Sequence, residues 1–297
     1  MSSTEQSLAR PYAGALFAVV VWGASFIATK LGLREVGPLT VIWLRFGIGL
    51  IVLGIAVPLR KEFFVPTATD LRFFVILGAV GITIHQWLQA TGLITALAST
   101  TAWIVAAIPL VIALVSRFVL DEPLHRKHVI GIVVGAIGVL LVVSRGDWHL
   151  LAEGVFGTPG DFLVALSTIT WALFSVYSRK GLYRHKAAPM MFYVMASGWL
   201  LSTIPWVLAG GPAEVSHLSA LGWGAILFLG LFCSGLAYIY WYDALKALPV
   251  AQVGSLLYVE PLITMLVAAS ILGEPVTLAA LIGGSVILLG VRIATLR

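Results

Sequence analysis

Charged residues and cysteine are scarce in this sequence, and asparagine is absent. Only 10% of the 297 residues are charged and 60% are hydrophobic, whereas soluble proteins average about 25% charged residues. This composition excludes an ordinary soluble domain and predicts a polytopic membrane protein. The single cysteine, Cys233, excludes a disulfide within the chain, and the lack of asparagine excludes an N-glycosylation sequon.

Several chemical signatures are also missing. The sequence has no nucleotide-binding loop, zinc motif or nucleophile elbow, so we expect neither a cofactor, a metal nor an enzyme. The net charge of +5 comes mainly from basic residues in short loops, where they set membrane orientation rather than bind nucleic acid. The apolar run after the first ten residues lacks a convincing cleavage site, and we interpret it as a spanning helix, not a signal peptide.

Ten apolar runs are long enough to cross a bilayer. They predict an all-α integral membrane protein with ten transmembrane helices. The predicted bounds are 11–33, 38–59, 71–93, 97–120, 126–144, 159–181, 188–209, 219–246, 249–272 and 276–296.

The Lys and Arg residues are distributed unevenly around these runs. With the N-terminus in the cytoplasm, 14 of the 18 lie on the inside, Arg45 lies within helix 2, and the outside holds only Lys30, Arg34 and Arg145. Short cytoplasmic loops carry an excess of Lys and Arg. The bias therefore predicts that both termini are cytoplasmic.

The two halves of the sequence repeat, which divides the chain into 1–150 and 151–297. Matching positions lie 149 to 152 residues apart: Trp22 with Trp171, Ala96 with Ala247, Pro109 with Pro261, and Glu122 with Glu274. Because each half has an odd number of spans, the halves must enter the membrane from opposite sides. Inverted repeats of this kind are typical of secondary transporters, whose substrate site lies in a cavity near the midplane between the repeats.

Glu260 lies near the middle of the ninth run, directly before Pro261. A carboxylate at that depth costs about 3 kcal/mol and is usually functional or paired. Pro261 should bend the helix and leave the carbonyl of Leu257 without a partner. Pro261 and its repeat equivalent Pro109 are therefore candidate hinges beside a binding site, and Glu260 is a candidate proton carrier. The alternative is a glutamate that only forms a hydrogen bond inside the bundle.

Arg45 is about eight residues from the outer end of helix 2, close to the midplane at about 1.5 Å per residue. An arginine at this depth needs a partner. Glu260 is the only carboxylate at a similar depth, so we predict an Arg45–Glu260 pair, either direct or through water. Functionally, Arg45 would meet a substrate carboxylate; alternatively, it is a structural arginine that reaches toward the interface.

Two further helices carry polar or aromatic candidates. His85 and Gln89 share one face of helix 3 and would face a cavity, although an interhelical hydrogen bond explains them equally well. Tyr238 and Tyr242 share a face of helix 8 and are better cavity candidates than their neighbours Tyr240 and Trp241, which fit an interfacial belt.

Four aromatic residues lie away from the expected interfacial belts: Trp22, Trp103, Trp171 and Tyr258. Aromatic walls suit flat, partly apolar substrates. The same side chains are also ordinary packing residues. As a set they favour an amphipathic organic substrate over an inorganic ion.

The motifs, taken in order, resemble the EamA family of the drug/metabolite transporter superfamily. The resemblance lies in Trp22-Gly23-Ala24-Ser25-Phe26, Leu44-Arg45-Phe46, Glu260-Pro261, Leu272-Gly273-Glu274-Pro275 and the glycine pair Gly283 and Gly290. It covers nearly the whole chain, although Ile108 replaces the glutamate expected before Pro109. The resemblance implies an exporter of amino acids or related metabolites in the bacterial cytoplasmic (inner) membrane.

The same resemblance implies that helices 1–4 and 6–9 surround the cavity and that helices 5 and 10 lie at the periphery, where a homodimer could form. Within the family, the YddG-like branch exports aromatic amino acids, and no motif singles out that branch. The partners expected are a small-molecule substrate and membrane lipids.

Two other classes of function compete with transport. The first is an intramembrane lipid-modifying enzyme that uses His85 and Glu260, which the sparse polar residues disfavour. The second is a channel, which the absence of a repeated filter sequence disfavours.

Overall fold

A computed structural model of the chain describes residues 3–119, 121, 123–147, 149, 157–248, 253–254 and 256–295. Side chains are described for these residues except 3–8, Lys180, Tyr242 and Lys246. Glu122 lies outside these residues. Within them, every regular element is a helix, which confirms the predicted all-α class.

The principal helices follow the predicted runs closely. They are α1 (Ser3–Leu33), α2 (Pro38–Leu59), α3 (Ala68–Gly92), α4a (Ala98–Ala106), α4b (Ile108–Val119), α5 (Arg126–Val143), α6 (Pro159–Leu182), α7 (Ala187–Leu208), α8 (Ala220 to Ala247), α9 (Leu257–Leu272) and α10 (Leu278–Thr295). A short helix, Gly211–Glu214, and the turn Val215–His217 connect α7 to α8.

Most of these helices are long and apolar enough to cross a membrane. In the described part of the chain there are eight such helices, or nine if the bent pair α4a and α4b is one span. The apolar helix α9 is shorter than these. This pattern confirms a multi-pass membrane protein.

Helix starts are fixed by local chemistry. Pro38 occupies the first turn of α2, where its missing N–H costs no hydrogen bond. At the start of α6, the Thr158 hydroxyl accepts from the Asp161 N–H while the Asp161 carboxylate accepts from the Thr158 N–H. This reciprocal cap satisfies two backbone donors that the helix itself leaves unpaired.

The two predicted hinge prolines act differently. Before Pro109 the chain breaks at Ala107, and α4a and α4b meet at 42°. A proline ring clashes with the carbonyl four residues earlier, which explains a break on the N-terminal side of Pro109. Pro261 instead lies in the first turn of the α-helical part of α9, Glu260–Leu272.

The structure corrects the predicted course of helix 9. The 3₁₀ turn Leu257–Val259 precedes Glu260, and the Glu260 N–H donates to the carbonyl of Leu257. The prediction that the Leu257 carbonyl loses its partner was wrong, because a tighter turn satisfies it. Of the predicted residues 249–256, only 253–254 and 256 are among those described.

Both α3 and α8 contain a π-helical segment, Ala79–Ile84 in α3 and Phe228–Leu236 in α8. The two segments begin 149 residues apart, the spacing that relates Trp22 to Trp171. A π-helical insertion rotates the side chains that follow it, and such insertions are frequent at functional sites. Here they fix the direction of the polar residues in the middle of the bundle.

Glycines bring helices from the two halves of the sequence into close contact. A methyl group on Gly138 would lie 2.7 Å from the carbonyl oxygen of Gly283, so α5 and α10 pack backbone to backbone. In the same way, a methyl group on Gly49 of α2 would lie 2.6 Å from the Ser234 Cβ of α8. The second contact places α8 directly beside Arg45.

Candidate substrate site

Arg45 is the centre of a polar cluster inside the bundle. Its side chain is buried, with 8% of its surface exposed. Arg45 Nε donates to Ser234 Oγ at 3.2 Å, and Nη1 donates to Gln86 Oε1 at 3.3 Å. The guanidinium carbon also lies 5.0 Å from the centre of the Phe46 ring. All of these partners are neutral.

The α3 residues that follow the π-helical segment contribute next. Gln86 is buried and uses its amide oxygen on Arg45, which leaves its amide N–H groups as donors toward an anion. His85 is buried and turned toward α6, where its Nδ1 lies 3.0 Å from the carbonyl oxygen of Ser167. A carbonyl only accepts, so Nδ1 carries the proton and a neutral ring leaves Nε2 as an acceptor.

Trp171 of α6 covers this histidine. The ring centres of Trp171 and His85 are 4.9 Å apart, and those of Trp171 and Phe174 are 5.1 Å apart. Gln89, one turn after His85, is only partly buried. The structure thus makes the interhelical bond that was the alternative for His85, while its role in binding substrate stays a prediction.

Near Ser234, α1 and α8 meet through aromatic rings. Trp22 Nε1 donates to the carbonyl oxygen of Cys233 at 3.0 Å. The Trp22 ring centre lies 5.7 Å from that of Tyr238 and 5.2 Å from that of Trp241. Trp22 thus contacts the segment of α8 that carries Ser234, a partner of Arg45, while the role of Trp22 and Tyr238 in binding substrate stays a prediction. Tyr242 lies in α8, but its side chain is outside those described.

Glu260 is at the start of the α-helical part of α9. Its carbonyl oxygen accepts from the Thr264 hydroxyl and lies close to Gly23 of α1. Among the described residues, its carboxylate makes no hydrogen bond or ion pair, and Arg45 is paired instead with Ser234 and Gln86. The predicted direct Arg45–Glu260 pair is therefore not formed, because α8 rather than α9 faces Arg45.

The remaining two aromatic candidates lie elsewhere. Trp103 is almost fully buried against Gly284 of α10, in an apolar cluster with Val142 and Ile287. Tyr258 packs against the same cluster. Both rings thus contact the side of the bundle formed by α5 and α10, and the structure does not bring them together with Arg45.

Two cavities lie on the described part of the protein without any predicted site residue in their lining. One, of about 340 Å³, lies on α10 between Leu281 and Leu289. The other, of about 70 Å³, is bordered by Ser99, Thr100 and Thr277. Arg45, Gln86 and Ser234 are all buried, so the polar cluster around Arg45 is closely packed in this conformation. No group of three or more metal-binding side chains occurs in the described ranges.

Sequence reasoning missed Gln86 and Ser234 as partners of Arg45. Gln86 neighbours a predicted residue, and a polar side chain at that depth was the available signal. Ser234 sits between Cys233 and Gly235 in an otherwise apolar run. Nothing in that run indicates the π-helical segment that turns its hydroxyl toward α2.

The described residues form a multi-pass helical bundle with a buried guanidinium that neutral groups hold. A model of the EamA-like transporter family matches residues 10–144 and 158–296. The chain belongs to the EamA-like transporter family.

Curated relatives span nearly the full length of the chain. The uncharacterized transporter YyaM of Bacillus subtilis (strain 168) is 26% identical over 277 residues, which are 92% of this chain and 89% of the relative. A probable terminal-alkyne amino-acid exporter of Streptantibioticus cattleyicolor is 25% identical, covering 94% of this chain and 91% of the relative. A probable amino-acid metabolite efflux pump of Salmonella typhimurium is 27% identical, covering 94% and 92%.

A solved crystal structure has the same fold. It superposes with a TM-score of 0.66 at 24% identity and covers 96% of both chains. Family and relatives are transporters by name, which agrees with the expectation that this chain is not an enzyme.

Proposed function

We propose that this protein is a secondary transporter that exports small amphipathic metabolites, amino acids first, from a bacterial cytoplasm by alternating access. The observation that carries the proposal is Arg45, a buried guanidinium whose described partners, Gln86 and Ser234, are both neutral. A charge inside a membrane protein calls for a counter-charge. A substrate carboxylate would supply it.

The neighbours of Arg45 fit an amino acid. The carboxylate would accept from Arg45 and from the free amide N–H of Gln86. The ammonium group would face Glu260, and a side chain with a flat apolar part would pack against Trp22, Trp171 and Tyr238. The names of two relatives, an amino-acid exporter and an amino-acid metabolite efflux pump, favour this class of substrate.

Alternating access would follow from the arrangement of the two halves, 1–150 and 151–297. We propose ten spans arranged as inverted repeats, with both termini in the cytoplasm and the cavity opening between the repeats. The π-helical segments that begin 149 residues apart support the duplication, as do the family matches in both halves. The closely packed centre would be a state in which substrate has left.

Counterflow in proteoliposomes tests this function. Vesicles loaded with unlabelled aromatic, aliphatic or thiol amino acids should accumulate the same labelled compound without ATP. The matching amines, which lack the carboxylate, should not be accumulated, because Arg45 would have no anion to bind. For a variant that removes the Arg45 charge, the matched control is Arg145→Gln, because Arg145 is exposed. The control should transport as wild type does.

The proposal fails if no carboxylate-bearing compound in the panel shows counterflow while a neutral or cationic compound does. That outcome would leave a transporter of another substrate class. Chemical conversion of a lipid or a metabolite by the purified protein, without counterflow, would instead favour the alternative function of an intramembrane enzyme.

A further inference from the structure

At one end of the bundle, Glu274 ties the two halves of the sequence together. Its carboxylate accepts from the backbone N–H groups of Ala98 (2.8 Å) and Ser99 (3.0 Å), and from the Ser99 hydroxyl (2.7 Å). Lys30 Nζ lies 3.6 Å from the same carboxylate and donates to the carbonyl oxygen of Ala96 at 2.6 Å. Glu274 thus caps α4a, a helix of the other half, and joins it to the end of α1.

Two other carboxylates at this end act in the same way. Glu214 of the second half accepts from the Gly37 N–H (2.9 Å) and the Thr40 hydroxyl (2.5 Å) at the start of α2. Glu35 of the first half accepts from the Ser219 N–H and hydroxyl, both at 2.7 Å, at the start of α8. Each carboxylate therefore satisfies backbone donors of the opposite half.

Glu274 differs from Glu214 and Glu35 because the helix start that it binds adjoins an apolar cluster inside the bundle. The Ala98 side chain, whose N–H bonds to Glu274, belongs to an apolar cluster with Phe26, Ala102 and Ala268 from α1, α4a and α9. These are helices that the proposed function places around the substrate cavity. The small cavity is lined by Ser99, which bonds to Glu274, and by Pro275, the residue after it, so it would give water a path to this cluster once α4a moves.

We propose that Glu274, Lys30 and the start of α4a form the latch of the outer gate. The inference rests on the proposed function, which supplies alternating access and places this end outside. While Glu274 holds the Ala98 and Ser99 amides, α4a stays against α1 and α9 and the outer end is shut. When the carboxylate releases these two N–H groups, α4a rotates at the break around Ala107. This rotation opens a path for solvent beside Ala102.

The labelling rate of a cysteine introduced at a buried position behind the latch shows whether the latch is closed or open. Ala102 is 2% exposed, so Ala102→Cys in a Cys233→Ser background should react slowly with an impermeant maleimide added outside. Glu274→Gln should speed this reaction on the order of tenfold, because an amide places an N–H against the backbone N–H groups and loses charge-assisted bonds. Lys30→Gln should give a smaller increase in the same direction.

Asp161→Asn is the matched control. The Asp161 carboxylate also accepts a backbone N–H and a hydroxyl at a helix start, both from Thr158, but the helix is its own. The variant should be destabilised without faster labelling of Cys at position 102. Equal labelling rates for Glu274→Gln and the wild-type background, with both proteins folded, would overturn the latch, as would equal acceleration by Asp161→Asn.

Two further cysteine variants test the proposed orientation independently of the latch. Ile94→Cys, in the exposed loop before α4a, should be labelled from outside, and Lys61→Cys, after α2, only from the cytoplasm. If the two sides are exchanged, the proposed orientation is wrong. Acceleration at position 102 by Glu274→Gln would then assign the latch to the cytoplasmic gate and overturn its placement outside.

Discussion

The second half of this protein contains two Glu-Pro pairs, and their carboxylates differ in the number of partners that they bind. Glu274 is buried, and its carboxylate accepts three hydrogen bonds and forms an ion pair with Lys30. Glu260, fourteen residues earlier in the sequence, has no hydrogen bond or ion pair to its carboxylate within the described residues. Both precede a proline, Pro261 in the first turn of the α-helical part of α9 and Pro275 in the connection before α10, so the dipeptide alone does not distinguish them.

Under the proposed function, this difference separates a charge that holds the fold, Glu274, from charges that a ligand would meet. A buried carboxylate saturated by backbone donors contributes to stability and is costly to alter. A carboxylate without such partners contributes little to the fold, and inside a membrane such a group points to function. Arg45, with neutral partners only, belongs with Glu260 rather than with Glu274.

The largest effect expected from this comparison is on stability. Glu274→Gln should lower the free energy of unfolding by about 3 kcal/mol, because it leaves buried N–H groups opposed to an amide donor. Glu260→Gln should change it by less than about 1 kcal/mol. Denaturation of the purified variants in detergent measures both, and equal losses would remove the distinction.

Transport should respond in the opposite order. We expect Glu260→Gln to lower the initial rate of counterflow about tenfold or more, since it removes the charge that would face the substrate ammonium. The protein should remain as stable as wild type. A Glu260→Gln variant that transports normally under a proton gradient would show that this carboxylate carries neither substrate charge nor a proton.

A smaller effect is expected at the neutral partners of Arg45. Gln86→Leu should weaken binding of a carboxylate-bearing substrate about fivefold to tenfold, because the site loses a donor. Ser234→Ala should weaken it less, since the hydroxyl only positions the guanidinium. Equilibrium binding measures both, and equal weakening by the two variants would contradict this order.

The smallest effect concerns Glu35, at the end where Glu274 lies. Hydrogen bonds from Ser219 lower the pKa of Glu35 below its ordinary value of 4.5. A carboxyl whose pKa is lower in the folded state stabilises the protein above its ordinary pKa, and this contribution is lost as the pH falls through the lowered value. Melting curves of wild type and Glu35→Gln should therefore differ near neutral pH and converge only as the pH falls below 4.5 and through the lowered pKa.

The helices could be predicted well because their signals are local. α2 spans Pro38–Leu59, the predicted range, since Pro38 fixes its start and Arg60 follows its last apolar residue. The course of α9 could not be predicted in the same way. A proline inside an apolar run is compatible with a kinked helix and with a new helix start, and packing against Gly23 of α1 accompanies the second outcome here.

The burial of Arg45 could be predicted, but its partners could not, and that error has a geometric cause. Sequence gives the depth of a residue in the membrane but not the direction in which its side chain points around the bundle. Arg45 and Glu260 share a depth, yet the Gly49–Ser234 contact brings α8 against Arg45. Trp103 shows the same limit, since it faces α10 rather than Trp22.

The central claim is that Arg45 binds a substrate carboxylate, and one binding comparison tests it. The ratio of Kd values for an amino acid and for its decarboxylated amine should be measured with wild type and with Arg45→Met. We expect wild type to favour the amino acid about a hundredfold and Arg45→Met to lose most of that preference. An unchanged ratio in a folded Arg45→Met variant would contradict the account.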